Sequence, residues 1–289
     1  MANTSPTKPA TSAKVTAKNA SLSESLSSTF AAIVIPLSFV VSSLIYAFVF
    51  GDPSHFQGGN PENNPVQGDY LGVIHKGGYV VPVLLGLLIM VITFAIERFF
   101  TLSKAQGKGS IAKFVVKIKS LIARGDIDGA LAEADRQKGS VANVVKAGLL
   151  KYKEVDTNYN LDQERKLQAI QKDIEETTQL EMPMLEKNLV VIATIASIAT
   201  LVGLLGTVIG MIRAFAALAN AGAPDAVALA TGISEALINT ALGIGGSALA
   251  IIFYNYFTSK IDGLTFGIDE VGYTITQSFA AKANKNAEI

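Results

Sequence analysis

The feature that most limits this chain is a set of long apolar runs almost free of charge. The first, residues 30–50, holds 21 residues without a single Asp, Glu, Lys or Arg. At about 1.5 Å per residue it reaches roughly 31 Å, the thickness of a bilayer's hydrocarbon core. Pro36 falls inside it, which a membrane helix tolerates. A second run extends from Tyr79 to about Ile96 and ends in Glu97-Arg98; a third spans roughly Leu189–Leu218 and a fourth Val227–Phe257. Only 17% of the residues are charged, against about a quarter in an ordinary soluble domain, and the deficit is concentrated in these runs. The expected fold class is therefore all-α, a polytopic membrane protein with four transmembrane helices, two of them long and extending into a cytoplasmic helical domain.

Between the runs the composition changes. Residues 1–29 are rich in Ser, Thr, Ala and Lys without apolar periodicity and read as a disordered tail. Residues 51–78 are dense in Gly, Asn and Pro and read as an irregular loop. In residues 101–187 charge returns, and Ile111, Val115, Ile118 and Ile122 recur at helical spacing. Gly125-Asp126 should break that helix. Asn160 with Gln163 resembles a capping box opening a longer helix that runs toward the membrane, with a kink expected at Pro183.

Lysine and arginine set the orientation. Lys8, Lys14 and Lys18 lie in the first tail, Lys76 alone in 51–78, most of the basic residues in 101–187, none in 219–226, and Lys260, Lys282 and Lys285 after the last run. The positive-inside rule then places both termini and residues 101–187 in the cytoplasm of an inner membrane, with 51–78 and 219–226 as periplasmic loops. The division is a tail at 1–29, spans at 30–50, 79–100, 188–218 and 227–258, a helical domain at 101–187 and a C-terminal tail at 259–289.

The last two runs differ from the first two. Ala193, Ala196, Thr200, Gly203, Thr207, Gly210, Ala214 and Ala217 recur in steps of three and four, as do Gly232, Glu235, Asn239, Gly243, Gly246 and Ala250. Such stripes let membrane helices pack closely. Packing leaves Glu235, Asn239, Thr207 and Thr240 unexplained. A charged side chain at depth costs at least about 2.5 kcal/mol on insertion scales and normally faces protein or water along a pathway. Thr200, Gly203, Thr207 and Gly210, with Glu235, Asn239, Thr240 and Gly243, are the candidate pore-lining set. Arg213 reads as a snorkelling residue and Glu97-Arg98 as interfacial anchors. With no Cys, and with His55 and His75 far from any carboxylate cluster, a metal or other cofactor is not expected. Net charge is zero, so nothing points to nucleic acid. The spans hold no His-Glu metal motif and no Ser-His pairing, so an intramembrane enzyme is not expected either. They also offer only one deeply placed carboxylate, so a proton route would need a titratable group from another chain.

Gly203-Leu204-Leu205-Gly206-Thr207-Val208-Ile209-Gly210 is similar to the GLLGTVxG signature of the MotA/TolQ/ExbB proton channel family, and Ile233 to Gly243 resembles its I-x-E-A-L-x-x-T-A-x-G. Tyr254-Asn255, Glu97-Arg98 and Gly125-Asp126-Ile127-Asp128-Gly129-Ala130-Leu131 match its shorter signatures, so the resemblance covers about residues 79–258. It implies a homopentameric ring around a dimer of a single-span ExbD- or TolR-like partner whose intramembrane Asp carries protons. It also implies that Thr207 and Thr240 line that route, that Glu235 is the family glutamate, and that work passes to a TonB-like protein. A TolQ-type subunit or another stator, gliding or flagellar, is the alternative within the superfamily, though the last two spans lack MotA's prolines and carry the ExbB-type Glu and Thr motifs; a scaffold that only oligomerises is the reading from another class. Leu249 stands where many relatives carry Pro, which predicts a straighter last helix, and the span at 30–50 is additional to the three of simple ExbB and TolQ chains.

Overall fold

The computed structural model describes residues 30–158, 161–219 and 225–287, with side chains to Lys282. The expected tail at 1–29, most of the turn at 219–226, and Asn160 lie outside the described residues. Secondary structure is helical, and among the described residues no strand forms beyond one isolated bridge, Phe56 to Pro65. In chain order the helices are α1 (Phe30–Phe50), α2 (Tyr70–His75), α3 (Val80–Gln106), α4 (Ile111–Ala123), α5 (Ile127–Gln137), α6 (Ser140–Asp156), α7 (Gln163–Glu186), α8 (Leu189–Ala219) and α9 (Ala226–Ala287). Four of them, α1, α3, α8 and α9, are long and apolar enough to cross a membrane. The chain divides into two compact units: the described residues up to Thr93 with Ile198–Gly246, and Phe94–Ser197 with Ser247 onward.

In the first unit α1 lies against α3. A side chain at Gly86 would meet the ring of Phe39 and the hydroxyl of Ser42, so glycine is what lets the two helices touch there. The last six residues of α1, Ile45–Phe50, widen into π-helical pairing before Gly51. The stretch expected to be irregular between α1 and α3 is compact. Two 3-10 turns, Pro53–His55 and Gln57–Gly59, precede α2, and Phe56 is buried to 2% exposure. Asp69 caps α2 through the N–H groups of Leu71 and Gly72, and its other oxygen lies 2.7 Å from His55 Nδ1.

In the second unit α4–α7 pack in sequence order on the last part of α9. Ile118, Leu149, Ile170 and Ile275 are fully buried, and Tyr152 meets Phe279 edge to face at 5.0 Å. Gly125 ends α4 at φ 74°, where a side chain would be strained, and Asp126 caps α5 by accepting from Gly129 N–H. Asp162 caps α7, accepting from Arg165 N–H at 2.8 Å. The interruption expected at Pro183 falls later. Pro183 stays inside α7, and the chain turns at Lys187 and Asn188, the latter at φ 63°. Through residues 259–287, the expected C-terminal tail, α9 continues unbroken, with no proline to interrupt it.

Candidate functional site

The α8–α9 pair in the first unit is a seam built on glycine. A Cβ placed on Gly210 would stand 2.7 Å from Ala236 N and 2.7 Å from Gly232 O, and one on Gly232 would stand 2.7 Å from Ala214 N. At the other end a Cβ on Gly203 would stand 2.9 Å from Gly243 Cα, and one on Gly243 would stand 2.7 Å from Ala199 O. These distances are below any real Cβ contact, so the backbones meet because no side chain separates them. Gly203 and Gly243 thus face each other's backbone and Gly210 faces that of Gly232 and Ala236, whereas Thr200 points outward and is exposed.

Between the two close approaches lie Thr207 and Thr240, half-buried and hydrogen-bonded to each other through their hydroxyls. Both also reach the Ala236 carbonyl, Thr207 at 3.3 Å and Thr240 at 3.1 Å, and Thr207 donates to Gly203 O at 3.2 Å. Each hydroxyl has one proton and two lone pairs, so the pair holds more acceptor capacity than these bonds use. A donor arriving from outside the chain can be received there.

Asn239, with no exposed surface, reaches across to the turn before α3 and donates through Nδ2 to Gly77 O at 2.8 Å. Its amide lies over Gly206, where a Cβ would come within 2.6 Å of Asn239 Cβ. Glu235 is 4% exposed and pairs with Arg213, Nη1 to Oε1 at 2.6 Å. Arg213 therefore does not merely snorkel; it neutralises the one carboxylate placed deep in α9. Its guanidinium also lies over the Tyr79 ring at 5.8 Å. The spacing of 22 residues between Arg213 and Glu235 hid the pair, since it arises only when α8 and α9 run antiparallel. The opposite charges on facing spans were the available signal.

Tyr46 of α1 belongs to the same neighbourhood. Its hydroxyl donates to His75 O at 3.0 Å, and its ring stacks on the His75 imidazole at 4.5 Å and 15°. Burial first, and then the adjacent Lys76, hold the His75 imidazole below its ordinary range. The N–H of Gly72 first, with the His55 ring beside it, holds the Asp69 carboxyl below the usual carboxylate range. Among the described residues no cluster of three or more His, Asp or Glu is arranged to hold a metal ion.

A separate polar knot lies in the second unit. Arg98, 2% exposed, makes two bonds to Glu97, at 2.7 and 2.6 Å, and one to Leu185 O at 3.1 Å. Glu97 also accepts from Thr101 and Asn188. Of the two residues expected as interfacial anchors, Arg98 donates to the carbonyls left open where α7 ends, and Glu97 holds its guanidinium in place.

A family described as the MotA/TolQ/ExbB proton channel family matches over residues 136–270, which includes the seam, Arg213 and Glu235. The chain is 28% identical over 187 residues to a putative biopolymer transport protein, ExbB-like 3, of Synechocystis, a match covering 63% of this chain and 82% of that protein. It is 30% identical over 141 residues to the Tol-Pal system protein TolQ of Pseudomonas aeruginosa, 46% of this chain and 61% of that one. Over 73 residues it is 42% identical to the biopolymer transport protein ExbB of Pseudomonas putida, 25% of this chain and 22% of its relative. The matched stretches thus span less than two thirds of the last two relatives.

Proposed function

We propose, from the premise that this chain belongs to the MotA/TolQ/ExbB proton channel family, that it is the ring-forming subunit of a proton-driven motor of ExbB type. It is a multi-pass membrane protein, and the family is one of transport-complex subunits rather than enzymes. In this reading it sits in the bacterial inner membrane with both termini and α4–α7 on the cytoplasmic side. Five copies surround a dimer of a single-span ExbD- or TolR-like partner. Proton entry down the proton motive force drives the partner, which hands work to a TonB-like protein for transport across the outer membrane.

The observation that carries the proposal is the Thr207–Thr240 hydroxyl pair, held between two backbone-to-backbone contacts and left with acceptor capacity. Threonine does not titrate at physiological pH, and the charge of Glu235 is already balanced by Arg213. The seam can therefore receive the O–H of a carboxyl group but not supply one, and a protonated intramembrane carboxyl of the partner is the donor that fits it. Relatives named ExbB and relatives named TolQ both match, so the load on the motor is set by the partner.

The test is to express the chain with the product of a neighbouring single-span gene, weigh the detergent-extracted complex by native mass spectrometry, and measure proton flux in liposomes. Five copies with two partner chains, and flux abolished by Thr207→Val and Thr240→Val with the stoichiometry intact, support the motor. A ring that takes up no partner, or flux indifferent to both substitutions, supports a scaffold instead.

A further inference from the structure

The corner between α2 and α3 is gripped from two sides. From α9, Asn239 Nδ2 donates to Gly77 O at 2.8 Å. A side chain at Gly78 would collide with the Glu235 carboxylate, so that carboxylate lies directly against the corner's backbone. Arg213 of α8 closes this side, bonded to Glu235 and lying over Tyr79, the next corner residue. From α1, Tyr46 bonds to the His75 carbonyl and stacks on its ring, while Phe56 meets the same ring edge-on at 5.3 Å.

The gripped residues of α9 alternate with those of the threonine pair. Glu235 and Asn239 stand one turn apart on one edge; Ala236, whose carbonyl both threonines reach, and Thr240 stand one turn apart on the next, about 100° around the helix. A turn of α9 large enough to separate Thr240 from Thr207 must therefore drag Glu235 and Asn239 off the corner.

We infer that the additional first span is a strut for this centre: Tyr46 fixes the α2–α3 corner, and the corner, closed by Arg213, positions Glu235 and Asn239 and through them Thr240. Tyr46 and Arg213 are positioning residues. This assigns a task to the first span, and its consequence for proton flux rests on the motor reading above.

The test uses the full chain with its single-span partner in liposomes. Proton flux and backbone amide exchange across Gly77–Val81 and Glu235–Thr240 are measured on the same preparations, after native mass spectrometry confirms unchanged stoichiometry. Arg213→Gln leaves a buried carboxylate unpaired and should lower flux at least about tenfold while exchange rises in both segments. Arg213→Lys, which keeps the charge, should recover flux to within about threefold of the natural chain. Tyr46→Ala should lower flux about tenfold; Tyr46→Phe, which keeps the stack and loses one hydrogen bond, about threefold. Phe48→Ala, at a side chain 73% exposed on the same helix, should leave both readouts unchanged. Exchange that stays flat in Arg213→Gln and Tyr46→Ala overturns the inference. So does raised exchange with undiminished flux, since the corner would then be a local support only. If the natural chain itself carries no flux, the motor reading fails on its own, and the exchange pattern still decides whether Tyr46 and Arg213 hold residues 235–240.

Discussion

Where α8 meets α9 between Ile198 and Gly246, backbone comes against backbone and the side chains at the contact are hydrogen atoms or small hydroxyls. In the α4–α7 domain, Ile118, Leu149 and Ile170 fill the space between helices, and ion pairs such as Lys153–Asp128 and Lys282–Asp156 ring the outside. The difference follows from the surroundings. In water a helix gains by hiding bulk, at about 25 cal/mol for each Å² of apolar surface. Among lipid tails a leucine gains nothing by leaving lipid for protein, so close approach and interior hydrogen bonds do the holding. Accordingly bulky residues of α8 and α9 point away from the seam: Leu204, Val208 and Leu237 are each at least half exposed, at 57%, 50% and 66%.

The sharpest way to break this contrast is to add bulk to the seam. Gly210→Ile should prevent α8 and α9 from closing at all, because its Cβ meets the α9 backbone at both Gly232 and Ala236, seen as loss of the extracted complex in size-exclusion profiles. Gly245→Ala, with open space around its Cβ, should leave that profile unchanged. Next in size is Arg98→Ala in the second unit. It strips the cation from Glu97 and the donors from the α7 carbonyls, and should cost about 3–5 kcal/mol in denaturant or thermal unfolding of the detergent-extracted chain. Ile118→Ala should cost about 2–5 kcal/mol by the same measurement, the ordinary penalty for a cavity in a water-facing core. If it proves neutral, the domain is not held by bulk and the contrast fails. Lys153→Gln, at an ion pair whose partners are 57% and 76% exposed, should change stability by no more than about 1 kcal/mol.

The smallest effect expected is one of pH, at the corner before α3. Burial and Lys76 depress the basicity of His75, so the open corner binds a proton more readily than the folded one. Stability there is complete above the ordinary histidine range and is lost as pH falls through it. Amide-exchange protection factors at Gly77–Val81, which take out the intrinsic slowing of exchange with falling pH, should drop between about pH 7.5 and 5.5, and His75→Phe, which keeps a ring against Tyr46, should flatten the profile. A flat profile in the natural chain would mean that the imidazole stays hydrated.

The sequence makes the spans and the helical domain legible because apolar run length and helical period are local properties. The stripes also disclose that α8 and α9 pack closely, and Thr207 and Thr240 stand out as hydroxyls in otherwise apolar helices, with the family resemblance supplying their expected role. What the stripes do not disclose is direction. Gly203, Gly210 and Gly243 recur at the same intervals whether a helix turns them toward a lumen or toward its neighbour, and the structure turns them toward the neighbour. Arg213 with Glu235, and Arg98 with the Leu185 carbonyl, join residues 22 and 87 positions apart, and no local pattern carries such pairings. The break at Asn188 was hidden for a different reason: Pro183 is the stronger local signal, yet a helix can absorb a proline near its end when Lys187 N–H still finds the Pro183 carbonyl.

The facing glycines of the seam also bear on how its variants can be repaired. A core that has lost volume can often be mended by enlarging a neighbour, and one that has gained volume by shrinking one. Gly203 faces Gly243 and Gly210 faces Gly232, so a residue added at any of the four has no opposite side chain left to trim. Second-site suppressors of such a variant must therefore arise away from the contact, by shifting a whole helix, and selections for recovered function should return revertants at the glycine itself far more often than compensating changes across from it.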